Sequence, residues 1–198
     1  MRRIQSLALL LTLATGAEAD QVTEQIDAGL RAYEAGDARV AIQALQFAVA
    51  EIETQLSQKQ LELLPQPLAG WSAEDAVAET AGLATLIAGT NLSRSYRNDE
   101  SGAGIQMSIT ADSPLLSMMG MMMSTPMLMQ AQPGSSPYTH AGFRGMMEKD
   151  HDGNLKITLM VGTRILLQMQ GSGGATREAL EAYLDATDLT NLEKALLG

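Results

Sequence analysis

The chain contains no cysteine, which at once excludes disulfides, thiolate metal sites, a thiol nucleophile and lipid attachment at a cysteine. It has only two histidines, His140 and His151. Both fall in segments read as loop or turn, and no serine stands in a Gly-x-Ser-x-Gly elbow, so a histidine-based serine hydrolase of that kind finds no support. Aromatic residues make up 4% of the chain and Trp71 is the only tryptophan, so the core must be aliphatic and rich in methionine. Positive charge is also short, at 13 Lys and Arg against 23 Asp and Glu for a net charge of −10. Such a surface repels phosphate backbones and the basic residues are scattered singly, which argues against a nucleic acid partner. The apolar stretch 7–14 is far shorter than the roughly 20 residues a spanning helix needs.

What the first residues do contain is an ordered set of export signals. Arg2 and Arg3 precede that short apolar stretch, and Ala17-Glu18-Ala19 follows it as a small-x-small cleavage pattern. Residues 1–19 are therefore expected to be a cleavable secretory signal, leaving a periplasmic or secreted chain that begins at Asp20 and keeps no membrane span. Its loss removes Arg2, Arg3 and Glu18 and makes the remainder one charge more negative.

Residues 20–64 show helical periodicity. Val22, Ile26, Leu30 and Tyr33 form one apolar stripe, and Ala41, Leu45, Ala48, Ile52 and Leu56 form another beyond a break at Gly36-Asp37. This spacing predicts a helical hairpin, with Gly36 as the left-handed terminator of the first helix and Asp37 as the cap of the second. The pattern Ala32-Tyr33, Gly36-Asp37, Ala41-Ile42, Leu45 and Ala48 resembles a single tetratricopeptide repeat. One such unit cannot bury its own apolar face and no further copy follows, so a face is left for the rest of the chain or for another protomer, which makes a homo-oligomer through the hairpin an expectation.

Pro65, Pro67 and Gly70 mark a linker over 65–71, after which the period changes to two. Strands are expected over 76–81, 91–97, 105–110, 143–149, 155–161 and 164–170, forming an antiparallel meander of five or six strands, with Asp152-Gly153 as a tight hairpin turn. A methionine-rich helix is expected over 114–130, a helix capped by Thr176 with Ala179, Leu180, Tyr183 and Leu184 on its apolar face, and a last helical turn opened by a Thr190–Glu193 capping box. The fold class is thus α+β: a helical hairpin followed by an antiparallel sheet with packed helices over 72–198, the latter expected to fold by itself from Gly70 onward. The order in which Gly70-Trp71 leads into strands and a helix closes the chain resembles the PsbP-like α/β sandwiches and small periplasmic proteins of unknown role built in the same way. That resemblance implies a fold and no functional residue.

Seven of the 13 methionines lie between Met118 and Met129. Thioethers suit Cu(I), and Met118, Met122, Met119 and Met123 pair at helical spacing with His140 not far along the chain, so these five are an alternative copper set. The segment is apolar on every side, however, and this favours packing or contact with a partner, through Met118, Met121, Met122, Met127, Met129 and Trp71. Asp150-His151-Asp152-Gly153-Asn154 lacks the glycine and glutamate positions of a calcium loop. The sequence therefore points to a non-catalytic exported binding or interaction protein without a cofactor, whose ligand is a protein or an apolar molecule. A Cu(I)-binding protein and an enzyme with an unrecognised site are the competing classes.

Overall fold

The computed structural model describes residues 15–79, 89–113, 116 and 134–197. The methionine-rich segment and the first 14 residues of the expected signal lie outside these. No described helix is long and apolar enough to cross a membrane. The chain divides into two compact units, one ending at Leu56 and the other beginning at Ser57.

The first unit is built on two helices, α1 (Thr15–Glu34) and α2 (Ala38–Leu61, whose last residues belong to the second unit). Helix α1 begins ahead of Ala17-Glu18-Ala19. The turn between the helices is the expected one: Gly36 has φ +84°, its N–H donates to Tyr33 O at 3.0 Å, and the Asp37 N–H donates to Ala32 O at 2.9 Å. This double closure satisfies two terminal carbonyls and requires a left-handed residue, which only glycine supplies without strain.

The second unit is an eight-stranded antiparallel sheet with helices on one face. Its strands are β1 (Trp71–Ala73), β2 (Val77–Glu79), β3 (Thr90–Asn98), β4 (Gly104–Ala111), β5 (Ser135–His140), β6 (Phe143–Lys149), β7 (Leu155–Val161) and β8 (Ile165–Ser172). Their order is β1-β3-β4-β8-β7-β6-β5, with β2 beside β1 on the same edge of β3. This is not one meander. Two runs of sequential neighbours meet where β4 pairs with β8, from Gly104↔Ser172 to Ala111↔Ile165.

Alternate residues of the central strands point to one face: Ile105, Met107 and Ile109 on β4, Ile165, Leu167 and Met169 on β8, Ile157 and Leu159 on β7 are all buried. Helices α3 (Arg177–Asp185) and α4 (Leu189–Leu197) add Leu180, Tyr183, Leu184, Leu189 and Leu192 to that core. Thr176 caps α3 as expected, accepting from the Ala179 N–H. The cap of α4 is not the predicted box. Asp188 takes the position, its Oδ1 accepting from the Asn191 N–H at 3.1 Å and from the Thr190 hydroxyl at 2.8 Å, because the helix begins at Leu189 and its third amide is therefore that of Asn191, not of Glu193.

Two turns also differ in detail. The β6–β7 connection is a three-residue loop closed by Asp150 N–H to Asn154 O at 3.0 Å, not a two-residue turn at Asp152-Gly153. The Asp150 carboxylate accepts from the amides of Asp152 and Asn154 and so occupies itself with its own loop. The β5–β6 connection is the two-residue turn, Ala141-Gly142 between paired His140 and Phe143. Ala141 sits there at φ +48°, a left-handed conformation that costs a residue with a Cβ about 1 kcal/mol. Asparagine tolerates it and is preferred before glycine in this turn. Replacing Ala141 by asparagine is therefore expected to stabilise the second unit by roughly 0.5–1 kcal/mol, read as a higher urea midpoint with an unchanged slope.

Candidate functional site

Two arrangements invite a functional reading, one polar and one apolar. The polar one joins β5 to α3. Tyr138 and His140 are two residues apart on a strand and so share a face, while Arg177, Glu181 and Asp185 are spaced by four along a helix and so share a stripe. The two periods meet as a ladder. The Tyr138 hydroxyl donates to Glu181 Oε1 at 3.0 Å, Arg177 Nε donates to the same oxygen at 2.8 Å, and the Arg177 guanidinium lies 5.6 Å from the Tyr138 ring centre. His140 places Nε2 3.1 Å from Asp185 Oδ1 and Nδ1 3.4 Å from the Tyr138 hydroxyl.

Burial, reinforced by the bond to Glu181, pushes the Tyr138 phenol well above its ordinary range. The hydrogen bond from Arg177 holds the Glu181 carboxyl below the usual carboxylate range. The tyrosine thus keeps its proton as a donor and the glutamate its charge as an acceptor. Each polar group engages another protein group. Among the described residues, no buried side-chain nitrogen or oxygen lacks a partner and no cluster of three or more His, Asp or Glu is arranged to hold a metal. The ladder is a latch that ties the edge strand β5 to the helix layer, one way to protect an exposed edge. His140 was expected in a loop. It ends a strand instead, and its proposed methionine partners Met118, Met119, Met122 and Met123 lie outside the described residues, as do Met121, Met127 and Met129.

Trp71, the remaining residue of the expected contact set, opens β1 opposite Asn98. It is half-buried and meets the ring of Tyr183 edge-on, with centroids 5.5 Å apart.

The apolar arrangement is the hairpin. Its helices meet through small residues: Ala41, Ala44 and Ala48 are buried, and a Cβ added to Gly29 would stand 2.9 Å from Leu45 Cγ. The close approach leaves the large side chains outside. On α2, Ile42, Leu45, Val49, Ile52 and Leu56 are 44–57% exposed, and their alternating spacing of three and four makes a straight seam of coiled-coil type. Ile26, Leu30 and Tyr33 of α1 are also exposed. Counting 100° per residue from the buried stripe of each antiparallel helix places both sets on one side of the hairpin, with Val40 and Phe47 on the other. The expected second stripe had mixed the two kinds of position: Ala41 and Ala48 form the helix–helix contact, Leu45 lies at its rim, against Gly29 yet still exposed on the open side, and Ile52 and Leu56 belong to the open side. The polar ladder left no sequence signal beyond Tyr-x-His and the spacing of Arg177, Glu181 and Asp185, since nothing local links residues some 40 positions apart.

Comparison of the chain with protein-family models, with curated proteins and with solved structures finds no match.

Proposed function

We propose that the protein is a non-catalytic, exported interaction protein that engages the apolar surface of a protein partner through the open side of its helical hairpin. The observation that carries this reading is the row Ile42, Leu45, Val49, Ile52 and Leu56, large and exposed on one helix face. Ten of the large apolar side chains that stand exposed among the described residues are on the two hairpin helices, against Val77 alone elsewhere. Scattered exposed apolar residues need no explanation, but a contiguous patch of this kind marks a contact surface. A small apolar ligand suits it poorly, because such ligands are held in concave pockets lined by apolar groups, whereas the depression on the hairpin, lined by Gln21, Gln25, Phe47, Ala50, Glu51 and Thr54, is on the opposite side with Phe47.

A photoreactive benzophenone side chain placed at Val49, in cells that produce the protein, tests the proposal. Irradiation should give protein adducts from Val49 and none from Gln106, which is exposed on the sheet. Equal yields at the two positions, or none at Val49, would overturn it.

A further inference from the structure

The geometry points to a second copy of this chain as the occupant of the hairpin's open side, so that two hairpins pack face to face as a four-helix bundle. This rests on the contact-surface reading above and names the partner. Three observations select it. The first is shape. Two antiparallel helices with a flat apolar side are complementary to the same object turned about a two-fold axis, and a seam with alternating spacing of three and four is the form that interlocks with another helix pair.

The second observation is size. The eight side chains of the open side together expose on the order of 800 Å², above the largest patch usual on a monomer and close to one partner's share of a standard protein interface, about 800 Å². The third is charge. No ionised residue lies in the row on either helix, which asks for an apolar counterpart. Acidic residues outnumber basic ones over 21–61, with Glu24, Asp27, Glu34, Asp37, Glu51 and Glu53 against Arg31, Arg39 and Lys59. A membrane surface would call for the opposite balance, since helices that lie on lipid carry lysine and arginine on their polar side.

Sedimentation velocity of the full chain across the micromolar range should show a dimer. Lysine at Leu45 and Ile52 together should weaken association by roughly tenfold or more, because two charges per copy would be buried without partners. Lysine at Phe47, on the opposite side of α2, should change nothing. Since the double variant could lose helix along with the dimer, a second measurement avoids disruption. The natural chain has no cysteine, so single cysteines at Ile52 or Phe47 are unique sites for a short bifunctional maleimide. Covalent dimer should form from Ile52→Cys and not from Phe47→Cys.

A monomer at every concentration overturns the second-copy proposal. If Val49 then still yields adducts with a different protein or within its own chain, the occupant is that protein or that segment. The general reading survives the first of these and fails with the second. A dimer that is insensitive to both lysines and links equally from both cysteines overturns the assignment of the interface to this side.

Discussion

Replacing Tyr183 by alanine should lower the stability of the second unit by about 3–5 kcal/mol, the usual cost of deleting a large buried ring. Domains of this kind are stable by only about 5–15 kcal/mol in total, so much of the margin would go with one side chain. Tyr183 is fully buried on α3 and joins three parts of the core. Its ring centre lies 4.2 Å from that of Tyr96 on β3, it stands nearly perpendicular to the ring of Trp71 on β1, and its hydroxyl accepts from the Leu68 N–H at 3.3 Å. Alanine would leave a cavity between strands, helix and the segment ahead of the sheet. Phenylalanine keeps the rings packed and removes only the acceptor, for which about 1 kcal/mol is expected. Trp71, the only tryptophan, reports the transition directly in a urea titration followed by fluorescence. A loss below that of the phenylalanine variant would contradict the central place given to this ring.

The parts of the fold that were legible in the sequence are those where a local rule acts alone. The hairpin turn follows from Gly36, the cap of α3 from Thr176, and strands β6 and β7 from alternation over seven residues each, with bounds matching the expected ones. What was not legible depended on neighbours distant in the chain. Strand β5 contains Pro137, which argues against a strand in isolation. It is tolerated because β5 pairs only with β6 and lies at the sheet edge, where a missing N–H costs nothing. Strand β1 has three residues, too few for any period, and is held by β3. The pairing of β4 with β8 joins residues about 60 apart, and the short turns around them give no hint of it. In the hairpin the helices were plain, but which stripe faced inward was not. The apolar stripe of α2 placed Ala41 and Ala48 together with Ile52 and Leu56, and only the packing separates the small residues that are buried from the large ones that stand exposed.

The same distinction between local signal and packing decides where the sheet unit can be cut. Pro65, Pro67 and Gly70 read as a linker, and a fragment starting at Gly70 was expected to fold by itself. In the structure this segment belongs to the core. Leu64 is 1% exposed, and Leu61, Leu63 and Leu68 pack against the same cluster. The Pro65 carbonyl accepts from the Tyr96 hydroxyl at 2.8 Å and from Arg94 at 3.3 Å. A fragment of residues 71–198 loses the leucines and also leaves the buried Tyr96 hydroxyl without its acceptor, and it removes the donor bonded to Tyr183. Loss of one buried leucine side chain costs about 2–5 kcal/mol and an unpaired buried hydroxyl about 1–3 kcal/mol, which together approach the whole stability of a domain of this size. Residues 57–198 should therefore unfold in one cooperative urea transition. Residues 71–198 should show weak or no cooperativity and bind a dye that reports exposed apolar surface. Equal midpoints for the two fragments would show that the segment 57–70 only decorates the sheet, and would return the boundary to the proline and glycine positions.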